Sequence, residues 1–176
     1  QELLLESEAA YRATLGEYTR DKAPVQWAIV QNNLGNTLNS LGNFSTDGAR
    51  YKAAVEAYRA ALEVRTKDIF PLSWAATKLN LGGALSNVTR YDLGTSVLEE
   101  AVAAYEDALT VYTREKSPLD WAAAQNNLGS IYQSLGQRNM SPDHLEQSAS
   151  AFRAARRVYD RRKFPLDWAM VQFNLG

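Results

Sequence analysis

Cysteine is absent from the 176 residues and histidine occurs once. The first absence excludes disulfides, thiolate metal sites and a thiol nucleophile. The lone His144 has no Cys, second His or Asp-x-Ser company, so no metal or nucleophile constellation forms around it. Charge of one sign is also missing. Nineteen Lys and Arg stand against twenty Asp and Glu, a net charge of −1, without the positive excess that nucleic acid or an anionic membrane demands. No apolar run approaches the roughly 18–20 residues that cross a bilayer, and no signal-peptide pattern opens the chain. Neither GxGxxG nor a Walker pattern occurs, and no segment alternates like a strand. Glu99, Glu100, Glu106 and Asp107 fall on helix faces assigned to solvent, which argues against an acid pair. With an apolar fraction of 45% and a charged fraction of 22%, an ordinary water-soluble protein is expected. The expectation is a cytoplasmic chain without cofactor, metal, catalytic site, nucleic-acid partner or membrane contact.

What is present is repetition, the first signal to seek in a chain of this kind. Trp27, Trp74, Trp121 and Trp168 follow one another at intervals of 47 residues. Around them one phrase returns as PVQWAIVQNNLG, PLSWAATKLNLG, PLDWAAAQNNLG and PLDWAMVQFNLG. A second phrase, out of phase, reads AAVEAYRAALEVRT at 53–66 and EAVAAYEDALTVYT at 100–113, with weaker copies at 7–19 and 148–160. The chain opens without Met and stops inside its fourth Trp phrase, so a fragment of a longer protein is expected: partial repeat 1–23, repeats 24–70, 71–117 and 118–164, and partial repeat 165–176, forming a single array.

Both phrases carry helical periodicity. Tyr51, Ala54, Val55, Tyr58, Ala61, Leu62 and Arg65 recur at spacings of three and four, as do Trp27, Val30, Leu34, Leu38 and Leu41, each set defining one stripe. Pro24, Pro71, Pro118 and Pro165 stand where a missing N–H costs nothing and a fixed φ helps a helix start. Basic residues close the preceding segments, and Gly, Asn, Ser, Asp and Pro fill 42–49, 89–95 and 136–143, which read as loops. The expected helices are 2–21, 25–41, 49–68, 72–88, 96–115, 119–135, 143–162 and 166–176. One pair cannot bury its own stripe, so neighbouring pairs must stack.

Leu34-Gly35-x-x-Leu38, then Ala54-x-x-x-Tyr58-x-x-Ala61-Leu62, then Pro71 resembles the tetratricopeptide repeat over essentially the whole chain. The standard unit has about 34 residues, so this chain is similar to a longer variant marked by PLDWAxxQNNLG and met as arrays in large bacterial proteins. The resemblance implies an all-α, right-handed α-solenoid of antiparallel helix pairs that binds a protein or peptide on the concave face formed by the first helix of each pair. Matched to that face are Asn32, Asn33, Asn36 and Asn39, then Leu79, Asn80 and Ser86, then Asn126, Asn127, Ser130 and Gln133. Asn32 and Asn126 are the expected contacts; Asn33, Asn80 and Asn127 either hold ligand or tie adjacent helices. Such a groove is polar and uncharged, suited to peptide backbone rather than a clamped carboxylate. The recurrent Trp residues read as packing between repeats.

Two other features remain open. Arg153, Arg156, Arg157 and Arg161 share a helical face, which is either a solvated outer surface or a contact for an anionic partner. Arg156 also stands where the other copies carry Leu15, Leu62 and Leu109. The alternative to ligand binding is a spacer or self-assembly module that associates through the repeat ends, Gln1–Arg20 and Pro165–Gly176.

Overall fold

A computed structural model describes residues 1–92 and 94–175. Leu93, in the expected loop 89–95, and Gly176, at the end of the last expected helix, lie outside the described residues. Eight helices form: α1 (Glu2–Glu17), α2 (Pro24–Gly42), α3 (Ala49–Leu62), α4 (Pro71–Val88), α5 (Thr95–Leu109), α6 (Pro118–Asn139), α7 (Pro142–Arg156) and α8 (Pro165–Asn174). Among the described residues none is long and apolar enough to cross a membrane. The chain divides into two compact units, residues 1–93 with α1–α4 and residues 94–176 with α5–α8. Within each, a helix packs mainly on its neighbours in sequence, as expected for a helical repeat.

The Trp helices start where their prolines stand. The residue before a proline is kept out of the helical region, and Ala23, Phe70, Ser117 and Phe164 have φ of −148°, −132°, −141° and −133° with ψ of 60–67°. Each offers its carbonyl to the following Trp N–H, at 2.8–2.9 Å. Each also donates its own N–H four residues back, to Thr19, Thr66, Thr113 or Asp160. The corner into every Trp helix is thus closed by main-chain atoms, and it recurs with the 47-residue period.

Two boundaries differ from expectation. The helices of the second phrase stop at Glu17, Leu62, Leu109 and Arg156, four to six residues before the expected 21, 68, 115 and 162. The last turn tightens there, with Val64, Val111 and Val158 donating to residues three back, and the valines, threonines and tyrosines that follow are weak helix formers. The chain then needs the freed residues to make the corner. Conversely, the loop expected at 136–143 shrinks to Met140 and Ser141, because α6 continues to Asn139. Met140 closes α6 in the left-handed region, with φ 50°, while Ser141 donates to the Gly136 carbonyl at 3.0 Å. Ser141 then caps α7 by accepting from the His144 N–H.

The core is built by aromatics pressed onto glycines. Tyr51 and Tyr58 of α3 are each 1% exposed. Tyr51 lies against Gly42 and Tyr58 against Gly35 of α2. The pairings run in opposite chain directions, which makes α2 and α3 antiparallel. A Cβ built on Gly35 would stand 2.6 Å from the Tyr58 ring. In the second unit Phe152 lies against Gly129 in the same way, within a buried cluster of Ala122, Phe152, Ala155, Tyr159 and Val171 on which Trp121 and Trp168 pack. Burying each such ring contributes roughly 1.5–3 kcal/mol. Between α1 and α3 the largely buried Glu8 takes Arg12 and Arg50 as ion-pair partners. Burial alone would raise the Glu8 pKa, but these two guanidinium groups hold it below the usual carboxylate value.

Gly35→Ala is therefore expected to destabilise the protein by about 1–3 kcal/mol, because overpacking outweighs the gain of roughly 1 kcal/mol in helix propensity. Gly16, with nothing within 4 Å of its added Cβ, should show the opposite sign: Gly16→Ala gains about 0.5 kcal/mol. Urea midpoints at unchanged slope measure both.

Candidate functional site

The amides marked by the Asn-rich phrase lie on the Trp helices, and the structure shows what each holds. Asn36, exposed on α2, accepts from the buried Tyr58 hydroxyl at 2.8 Å and from Asn80 Nδ2 of α4 at 3.2 Å. One turn on, Asn39 accepts from Asn87 Nδ2 at 3.1 Å. A carboxamide oxygen takes two hydrogen bonds and its nitrogen gives two. The Asn36 oxygen is thus filled, whereas among the described residues the nitrogens of Asn36 and Asn39 and the oxygen of Asn80 have no hydrogen-bond partner. Burial pushes the Tyr58 hydroxyl well above the ordinary tyrosine pKa, so it stays protonated and keeps donating.

Asn32 and Asn126, the expected contact residues, are only 8% and 5% exposed. Asn32 Oδ1 lies 3.0 Å from the Thr77 hydroxyl of α4, and Asn32 Nδ2 reaches Asn33 Oδ1 at 3.5 Å. Asn126 accepts from Asn174 Nδ2 of α8 at 3.3 Å. Both therefore tie adjacent Trp helices together within their units. Asn127 bonds the Tyr105 hydroxyl. Asn33, Leu79, Asn80 and Ser86 are half-buried on α2 and α4, as are Asn127, Ser130 and Gln133 on α6. Ser130 turns its hydroxyl back to the Asn126 carbonyl. Gln133 lines a hollow of about 170 Å³ with Leu145, Ser148, Phe152, Asn174 and Leu175.

One polar group was hidden inside the apolar stripes. Arg65, just beyond α3, donates through Nη1 to the Thr77 hydroxyl at 2.9 Å. Thr77 in turn faces both Asn32 and the Ser73 carbonyl, the latter at 2.8 Å. The periodicity places Arg65 on one stripe and Thr77, 47 residues after Val30, on the other, without showing that they meet. The available signal was register: Arg65 stands where the other copies carry Tyr18, Tyr112 and Tyr159, and Thr77 where they carry Val30, Ala124 and Val171.

The remaining charged and ionisable features are separate from these amides. Arg153, Arg157 and Arg161 are exposed, Arg161 lying 5.2 Å over the Trp168 ring. Arg156, also exposed, reaches α8, donating to Gln172 Oε1 at 3.2 Å, which is the use its position finds for an arginine in place of leucine. His144 stacks on Tyr132, ring centroids 6.1 Å apart. Tyr132 donates to Glu106 at 2.8 Å, and burial together with that carboxylate pushes its pKa up to about 12. Among the described residues no group of three His, Cys, Asp or Glu could hold a metal ion.

No family model, curated protein or solved structure matches the chain.

The Asn36 oxygen is the joint between the buried tyrosine and the open amides. Asn36→Ala leaves the Tyr58 hydroxyl buried without its acceptor, at an expected cost of about 1–3 kcal/mol. Adding Tyr58→Phe should recover part of that loss in a double-mutant cycle read by thermal unfolding.

Proposed function

We propose that this chain is a non-catalytic scaffold that holds a protein or peptide, built as a right-handed α-solenoid of the tetratricopeptide kind. The 47-residue recurrence of sequence and of corner hydrogen bonds, with equivalent glycine–aromatic contacts at Gly35–Tyr58 and Gly129–Phe152, supports the repeat reading. The binding reading rests on one observation: the α2 and α4 amides are fixed by bonds to one another, yet keep open donors on Asn36 and Asn39 and an open acceptor on Asn80. Donors and acceptors side by side suit the alternating N–H and C=O groups of an extended peptide. Because the amides are already ordered, a ligand meets less entropic cost on docking. Asn33 and Ser86 flank this row, whereas Asn32 acts as a strut to Thr77; in the second unit Asn126 is a strut to Asn174. We assign no cofactor and no reaction to the face.

Selection of a peptide from a displayed random library against the intact chain, followed by a titration with the purified peptide, tests this. Asn33→Arg with Ser86→Arg blocks the row while sparing the partner of Tyr58, so affinity should fall at least tenfold with helicity unchanged in circular dichroism. Undiminished affinity in that variant would place the ligand elsewhere.

A specific surface favours the second reading, a self-assembly module. Leu166, Met170 and Phe173 recur at helical spacing on α8 and are 84%, 46% and 86% exposed, an apolar stripe of the sort that marks contact sites. Under this reading Phe173→Glu converts an associating chain into a monomer in light scattering. A wild-type chain that is monomeric at high concentration excludes it.

A further inference from the structure

A small hollow of about 170 Å³ opens where α2, the end of α3 and the start of α4 converge, lined by Val25, Ala28, Ile29, Val64, Arg65, Phe70 and Ser73. Six of these seven are apolar or bear a small hydroxyl; the seventh is a half-buried cation. Arg65 spends one N–H on Thr77 and has no carboxylate within ion-pair distance among the described residues. Burial acts on it without an opposing anion and pulls its pKa below the ordinary arginine value. A guanidinium offers five donors in a planar fork, so most of its hydrogen-bonding capacity is unused by side chains here.

The other copies show what is missing. Eight residues after the register position of Arg65, the second unit carries Asp120 and Asp167, close enough to Tyr112 and Tyr159 for their charge to raise those hydroxyls further. In the Arg65 copy that place is held by Ser73, and in the first copy, after Tyr18, by Gln26. Arg65 thus stands in a copy that lacks the carboxylate its position would face in the second unit. Thr77 has entered opposite, where the other copies carry Val30, Ala124 and Val171, and steadies the guanidinium from one side.

We propose that this hollow binds a small organic carboxylate whose anionic group pairs with Arg65 and the Ser73 hydroxyl and whose apolar body lies against Val25, Ile29, Val64 and Phe70. Arg–carboxylate pairing is bidentate and charge-assisted. The volume is close to the roughly 150 Å³ of an engineered cavity that takes benzene, so the body is one ring or one branched aliphatic group and not a length of polypeptide. The site lies apart from the Asn36 and Asn80 amides and does not depend on their function.

The test is an NMR titration of the whole ¹⁵N-labelled chain at pH 7 with phenylacetate and with 4-methylpentanoate, each beside its neutral amide. Saturable binding is expected, with shifts confined to 25–29, 64–65 and 70–73, and at least tenfold weaker for the amides. Ser73→Asp supplies the absent carboxylate internally, and Arg65→Tyr restores the residue of the other copies. Both carry residues the repeat already accepts at those positions, and both should lose at least tenfold in affinity while keeping the wild-type spectrum elsewhere. Absence of saturable binding by the wild type, equal binding of acid and amide, or unchanged binding by Ser73→Asp overturns the proposal. So does a short neutral peptide ending in a leucine carboxylate that binds the same residues tenfold more tightly than the free acids, since the occupant would then be a chain terminus.

Discussion

Everything else in the first unit depends on how closely the Tyr58 ring approaches the backbone of Gly35. With no Cβ in the way, the ring lies close against α2 and draws α3 to it, the second contact being Tyr51 on Gly42. The same closeness carries the Tyr58 hydroxyl to the side chain next along, Asn36, and Asn36 holds Asn80. An apolar contact between two helices thereby sets the position of a polar bond to a third. The surface amides inherit the rigidity of the core because they are bonded to it through a buried phenol. Gly129 and Phe152 make the equivalent contact in the second unit.

Much of the fold was legible because its causes are local and repeated. Proline marks where the Trp helices start, the stripes mark which faces turn inward, and the 47-residue period lets one copy inform another. The errors are local too. Nothing in the apolar pattern tells where α3 should stop, since Arg65 continues the stripe; the stop is set by the corner needed to reach Pro71. The Gly136–Asp143 segment looked like a loop from its residue types, yet Gly136 stays helical because Leu145 packs where its side chain would be.

The candidate site was less legible for a different reason. Asn32 and Asn126 sit in the same phrase as Asn33 and Asn127, and one residue of helical rotation, 100°, separates a strut between helices from a group facing outward. Their bonds go to Thr77 and Asn174, some 45 residues away, so no local pattern reveals them. Comparison between copies is more informative than the pattern within one. Positions 65, 73 and 77 all depart from the other repeats, and the structure brings these three departures to one place.

The main-chain closure of the corners before the Trp helices has an evolutionary consequence. Because backbone atoms make the turn, the three side chains between the bonded groups contribute nothing to it, and all twelve of them, at 20–22, 67–69, 114–116 and 161–163, are exposed. They read Arg-Asp-Lys, Lys-Asp-Ile, Arg-Glu-Lys and Arg-Arg-Lys. Selection can thus rewrite the charge at each corner one triplet at a time while leaving the main-chain turn intact, so a drifting repeat can acquire new electrostatic neighbours without first having to find a new fold.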